Sequence, residues 1–275
     1  MSANLRTVLE IATATDPGMV RSHNEDSIGV DADIGLAVLA DGMGGYNAGE
    51  VASGIAIAML ATEMRQALED RAPQEVDGSG ETLAEQFVRE NSAKANAAIY
   101  QAAKSQPQYS GMGTTLLVAL FYDNRMTVGH IGDSRLYRLR NDTFEQVTRD
   151  HSLLQEQIDS GMITKEQARY SQNKNLVTRA VGIDPEVETE IHTYNVEPGD
   201  IYLLCSDGLS DMVQDEDIHS TLSTLQSNLS LAAEQLVQFA NDSGGRDNIS
   251  VILVRVIEDF SVPTGWFAKF KAWFR

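Results

Sequence analysis

Residues 114–139 constrain the fold more than any other stretch of this chain. TTLLVALFY (114–122) and RMTVGHIG (125–132) are rich in β-branched and aromatic residues, and only Asp123-Asn124 separates them. Two such runs joined by a two-residue turn of this type form a tight antiparallel hairpin. SRLYRL (134–139) follows Gly132-Asp133 and is expected to extend the hairpin into a meander. DIYLLCS (200–206) and ISVILVRV (249–256) are two further strong strands.

Helical periodicity marks other parts of the chain. Residues 50–68 and 83–103 carry apolar residues three and four apart, and the loop 70–81, with Pro73, Gly78 and Gly80, joins them. A third helix is expected over 231–242, with Ser230 as its N-cap. Groups of strands flanking a helical pair indicate a layered α+β domain and not alternating βαβ units. Residues 150–180 read differently: they are polar and weakly periodic, and Gly161 splits two short helical stretches, as in an insertion lying over the surface.

Composition narrows the function. The 275 residues carry a net charge of −19, which argues against nucleic acid as a partner. No apolar run approaches the ~20 residues of a membrane span, and the N-terminus lacks a secretory signal, so a soluble, cytoplasmic protein is expected. The single cysteine, Cys205, lies within an apolar run and reads as a packing residue. Residues 265–275, GWFAKFKAWFR, place Trp266, Phe267, Phe270, Trp273 and Phe274 on one helical face, with Lys269, Lys271 and Arg275 interleaved. That pattern suits a membrane surface, a partner protein, or packing on the chain's own domain.

The chemistry is carried by acidic turns. Asp41 in LADGMGG and Asp207 in SDGLSD each stand directly before a glycine where an apolar run stops, so each carboxylate is expected at a sheet rim. Asp133 in GDSR and Asp247 in RDN also adjoin strong strands, and together the four can form one acidic cluster. Carboxylates and backbone carbonyls are hard oxygen ligands suited to Mg²⁺ or Mn²⁺. The five histidines lack paired ligand spacing, which disfavours zinc. Arg21, four residues before Glu25-Asp26, is read either as a bidentate phosphate ligand or as a surface ion pair with Glu25 or Asp26.

The order of motifs resembles the metal-dependent protein phosphatases, the type 2C serine/threonine family, and in particular their compact bacterial members. The matching segments are VRSHNED (20–26), LADGMGG (39–45), GTT (113–115), GDSRLY (132–137), TRDHS (148–152), TRAVG (178–182), SDGLSD (206–211) and GGRDNISVILV (244–254). The resemblance implies an α-β-β-α sandwich of two antiparallel sheets flanked by helices, with a catalytic domain over 1–258, a flap at about 150–185 and a C-terminal tail over 259–275. It further implies two to three Mn²⁺ or Mg²⁺ ions per chain. Asp41 would bridge two metals, with Asp207 and Asp247 completing the first site. The Gly42 carbonyl would bind the second metal, with Glu25 acting there through water, and Asp133 with Asp207 would form a third site. Arg21 would hold the phosphate, and Asn248 would orient Asp247.

The implied activity is hydrolysis of phosphoserine and phosphothreonine in proteins by a monomer opposing a serine/threonine kinase. Asp41 and Asp207 would be the catalytic centre, and the flap would influence substrate choice. Many eukaryotic members carry a histidine where this chain has Met43, so the general acid is open between a metal-bound water and His23. Two other readings stand beside this one, a phosphatase of a small phosphorylated metabolite and a non-catalytic module that binds phosphoproteins.

Overall fold

The computed structural model describes residues 5–45, 47–168 and 176–262. After a single helical turn, α1 (Leu5–Val8), the strands β1 (Leu9–Asp16), β2 (Asp26–Asp31) and β3 (Leu36–Met43) lead into helices α2 (Ala48–Glu69) and α3 (Leu83–Ser105). Strands β4 (Gly113–Thr114), β5 (Leu116–Tyr122), β6 (Arg125–Ile131), β7 (Arg135–Arg140) and β8 (Thr143–Gln146) follow. The segment expected to form a flap contributes α4 (Leu153–Asp159) and α5 (Lys165–Ala168), separated around Gly161. The chain then forms β9 (Glu190–Asn195), β10 (Ile201–Cys205), α6 (Asp207–Ser210), α7 (Asp215–Leu225), α8 (Leu229–Asp242) and β11 (Ile249–Val256).

Two antiparallel sheets result. One runs β1-β11-β10-β7-β8 and the other β2-β3-β5-β6-β9, with β4 paired to the end of β3. Three apolar layers hold them. Leu39, Leu117, Phe121, Tyr202 and Ile252 fill the space between the sheets. α2 and α3 cover the outer face of the second sheet through Leu60, Met64, Phe87 and Ile99. α7 and α8 cover the outer face of the first through Ile218, Leu222, Leu236 and Ala240. This is the expected α-β-β-α sandwich, and β5, apolar along its whole length, is buried on both faces as a central strand should be.

Local chemistry accounts for several element ends. Asp123 and Asn124 both take positive φ (44° and 53°), the requirement of the tight hairpin turn between β5 and β6. Thr82 and Glu85 form a reciprocal capping box at the start of α3. The cap of α8 is Asn228, whose side chain accepts from the Leu231 amide at 3.1 Å, and not Ser230 as expected, because the helix starts two residues earlier.

The expected meander fails at its third strand. β5 and β6 pair as a hairpin, but β7 pairs with β10 and β8 in the other sheet. The chain crosses between sheets at Gly132–Ser134. Gly132 makes the crossing possible: it adopts φ +109°, and a Cβ there would lie 2.7 Å from Thr115 Cγ2.

Domain packing runs past the expected boundary at 258. Phe260 is buried between the sheets, and its amide donates to Asn124 Oδ1 at 2.7 Å. The aromatic segment read at 265–275 lies outside the described residues. No helix among the described residues is long and apolar enough to cross a membrane.

Candidate active site

One end of the sandwich collects acidic residues from both sheets. β3 brings Asp41 and Gly42, and β2 starts at Asp26, which lies opposite Asp41 in the strand register. The crossing between β6 and β7 presents Asp133. β10 ends at Cys205, so Asp207 opens α6, and Asp247 immediately precedes β11. All the acidic turns singled out in the sequence therefore meet, because their strands run antiparallel and end at the same edge.

The charges strain one another. Burial, and then the fields of Asp26, Asp207, Asp133 and Asp247, push the Asp41 carboxyl well above the ordinary range. Asp207 is raised in the same way, by burial first and then by Asp133, Asp211 and Asp247. Asp26 and Asp133 are each pushed up to about 6, chiefly by burial. Burial also raises Glu25.

Two buried oxygens, Glu25 Oε1 and Asp26 Oδ1, have no hydrogen-bond partner among the described residues. Around them the backbone is drawn tight: a Cβ on Gly42 would lie 2.2 Å from the Gly49 carbonyl oxygen, and one on Gly49 would lie 2.8 Å from Glu25 Oε1. Mutually repelling carboxylates, orphaned oxygens and an all-oxygen donor set fit a hard divalent cation. Among the described residues, no three such side chains already surround a single point as a finished ligand set. Asp247 is turned towards Arg21, whose Nη2 donates to Asp247 Oδ2 at 2.7 Å. Arg21 therefore pairs with Asp247 and not with Glu25 or Asp26, the partners weighed as the alternative to phosphate binding.

A hydrogen-bond frame fixes the acidic positions. The Thr115 hydroxyl accepts from the Asp41 amide at 2.9 Å, and the Thr115 amide donates to the Asp41 carbonyl at 2.8 Å. Thr115 and Ser134 share a hydroxyl contact at 2.7 Å, which ties Asp41 to the turn bearing Asp133. Asn248 accepts from the Glu25 amide at 2.7 Å and donates to the Pro17 and His23 carbonyls, both at 2.9 Å. Its backbone amide donates to Asp247 Oδ1 at 2.9 Å. Asn248 thus orients the whole 17–25 loop as well as its neighbour.

The Ser206 hydroxyl donates to Asp26 Oδ2 at 2.8 Å and accepts from the Ser250 amide at 3.0 Å. No site role is expected from sequence for Asp26, Thr115 or Ser206. For Asp26 the signal was its place beside Glu25 at the head of a strand; its pairing with Asp41 is visible only once the register is known. His23 is exposed, and Met43 is half-buried beside the site. Cys205 is fully buried, with its thiol pushed up to about 12, which suits packing and not chemistry.

A cleft of 430 Å³ opens beside Asp207, between Ser210–Asp215 and the flap residues Ser152, Leu154 and Gln155, with Asp133 in its lining. Arg135, also in the lining, is neutralised by a bidentate ion pair with Asp150, Nε to Oδ1 at 3.0 Å and Nη2 to Oδ2 at 2.7 Å.

Comparison with known proteins gives the same answer throughout. A family model for protein phosphatase 2C matches residues 20–241. The serine/threonine phosphatase stp of Listeria welshimeri is 37% identical over 87% of this chain and 93% of its own length. The serine/threonine protein phosphatase PstP of Mycobacterium tuberculosis is 40% identical over 93% of this chain, which spans 46% of that longer protein. The crystal structure of the Mycobacterium tuberculosis phosphatase PstP/Ppp superposes with a TM-score of 0.82 at 39% identity, covering 91% of this chain and all of that one. A PstP catalytic domain in complex with two manganese ions gives 0.80 at 38% identity, covering 91% and 99%. With its sandwich, its acidic edge and its ordered motifs all accounted for, the chain belongs to the protein phosphatase 2C family.

Proposed function

We propose that this chain is a metal-dependent serine/threonine protein phosphatase that opposes a serine/threonine kinase. The observation that carries the reading is the meeting of Asp41, Asp133, Asp207 and Asp247 at one edge, with the orphaned oxygens of Glu25 and Asp26 beside them.

Asp41, Asp207 and Asp247 would hold a first cation, and Asp41, the Gly42 carbonyl and Glu25 would hold a second. Asp133 with Asp207 would provide a third position. Manganese is favoured by the two ions bound to the related PstP domain, with magnesium as the alternative. Cations held there would supply Lewis acidity, lowering the pKa of an attacking water and offsetting charge on the phosphoryl oxygens.

The protein's own groups do the rest. Arg21, at the mouth, trades its bond to Asp247 for a bidentate grip on the phosphate. Thr115 and Ser134 keep Asp41 and Asp133 in register, and Asn248 keeps Glu25 in place. The cleft between the flap and Ser210–Asp215 receives the polypeptide around the phosphorylated residue, which favours a protein over a small metabolite as substrate. One chain supplies every residue of the set, in keeping with a monomer, and a lone buried cysteine is in keeping with the cytoplasm.

Phosphate release from a phosphothreonine peptide tests this. Release should need Mn²⁺, stop with EDTA and be lost in Asp207→Ala. A folded, Mn²⁺-binding protein that releases none from phosphopeptides, yet hydrolyses a phosphorylated metabolite, would replace the proposed substrate class. One that hydrolyses neither would be a binding module.

A further inference from the structure

At Gly132, where β6 leaves its sheet, the backbone amide has lost its strand partner. A histidine supplies the replacement. His151 makes two hydrogen bonds to this one residue: its backbone amide donates to the Gly132 carbonyl at 2.8 Å, and its ring Nδ1 accepts from the Gly132 amide at 3.2 Å. Because Nδ1 accepts, it carries no proton, so the ring hydrogen is assigned to Nε2, which donates to Glu190 Oε2 at 3.0 Å. The ring is buried, and the ring of His130 lies over it with 4.7 Å between centroids. His130 is itself kept neutral chiefly by burial, and the two rings pack with their planes tilted by 33°.

The same residue gathers both ends of the flap. Its carbonyl accepts from the Thr178 amide at 2.8 Å, Ser152 bridges Val177, and the Leu153 amide donates to the Leu176 carbonyl at 2.9 Å. On the far side of Gly132, Thr115 connects the turn to Asp41. A continuous path of hydrogen bonds and packing therefore runs from the flap base through His151 and Gly132 to the acidic edge.

We propose that His151 is a positioning residue: its imidazole, accepting at Nδ1, ties the turn that carries Asp133 to the backbone at which the two flap ends, 151–153 and 176–178, are joined, so that the placement of these ends and of Asp133 is set together. This deepens the phosphatase reading and rests on it for the role of Asp133. The ring's double use explains why a histidine serves here. An aliphatic side chain would leave the Gly132 amide without an acceptor, and a side chain that only donates would oppose it.

The first test needs no substitution. Nitrogen-15 NMR of the full chain at neutral pH should find His151 as the Nε2–H tautomer with an unprotonated Nδ1; the opposite tautomer or a cationic ring would overturn the proposal. This readout is independent of activity, so it separates failure of the proposal from failure of the phosphatase reading.

Three variants then test the consequence. His151→Leu should speed amide exchange at 131–134 and 176–178 while β10 and β11 stay protected. It should also raise KM for a phosphothreonine peptide about tenfold, with a smaller change in kcat on a small aryl phosphate at saturating Mn²⁺. His151→Asn, whose Oδ1 takes up the place of Nδ1, should recover most of the loss, and Glu190→Gln, which keeps an acceptor for Nε2–H, should resemble the parent. An Asn variant that folds but is as impaired as the Leu variant would reduce His151 to a packing residue and sink the idea.

Discussion

The acidic edge should make the metal-free protein less stable as pH rises through the weakly acid range, and a divalent cation should reverse the trend. Asp26 and Asp133 are pushed from 3.8 to about 6, which corresponds to about 3 kcal/mol for each group. Below about pH 4 these carboxyls are protonated in both folded and unfolded chains and cost nothing. Above about pH 6 they are ionised in both, and the full penalty is present. Between these limits the folded state binds more protons, so stability falls as pH rises.

His130 acts in the opposite sense. Burial holds it at about 4 against an ordinary 6.5, so the unfolded chain gains protons first and stability rises across the same window by about 3 kcal/mol. Two carboxyls against one imidazole leave a net loss of about 3 kcal/mol, and Asp41 and Asp207, raised further, add to it across this window as well as above it. For a domain of this size, that is a fall in midpoint on the order of 10 °C.

The assay is thermal unfolding followed by circular dichroism from pH 4.5 to 7.5, with EDTA and with saturating Mn²⁺. The Mn²⁺-dependent rise in Tm should be small at the acid end and large at the neutral end, because the cation competes with protons. His130 is common to both series and cancels in that difference. Asp207→Asn, which removes one repelling charge, should melt higher than the parent in EDTA at pH 7.5 and respond less to Mn²⁺. An EDTA series that is flat or rises with pH, together with an Asp207→Asn variant that is destabilised at pH 7.5, would refute the claim that these carboxylates repel one another in the folded protein.

Two further outcomes follow from particular contacts. Asn248→Ala strips partners from the Glu25 amide and from the Pro17 and His23 carbonyls, and should cost about 2–3 kcal/mol in urea unfolding together with a higher Mn²⁺ requirement in phosphopeptide assays. Removing residues 263–275, which keeps the buried Phe260, should leave phosphopeptide turnover unchanged and abolish sedimentation with anionic phosphatidylglycerol vesicles; equal sedimentation of both chains would rule out the membrane reading of GWFAKFKAWFR.

How much of this was legible in the residues depends on the range of the interaction that decides each feature. The β5–β6 hairpin is fixed by a two-residue turn and by two runs that touch it, so Asp123-Asn124 announces it. Asp41 and Asp207 are legible because an apolar run that stops at Asp-Gly must put its carboxylate at the sheet's edge. β7 is different. Its alternation of apolar and polar residues marks a strand, but nothing local says which sheet it joins. That choice depends on pairing Leu136 with Leu204 on β10 and on the tight contact of Gly132 with Thr115. The same holds for β1, whose mixed polar pattern becomes a strand by pairing with β11, Leu9 opposite Val256.

The misread crossing has a functional side. Had β7 continued the meander, Asp133 would sit in an ordinary turn at the edge of a single sheet. Because the chain instead passes between the sheets there, Asp133 is drawn into the field that raises Asp207, and the amide of Gly132 is left for His151 to satisfy. Strand pairing over long sequence distances thus decides both where Asp133 stands and why the Gly132 amide bonds to His151. The residues that serve the crossing, Gly132, Thr115, Ser134 and His151, are individually unremarkable polar or small residues whose roles exist only once the two sheets face each other.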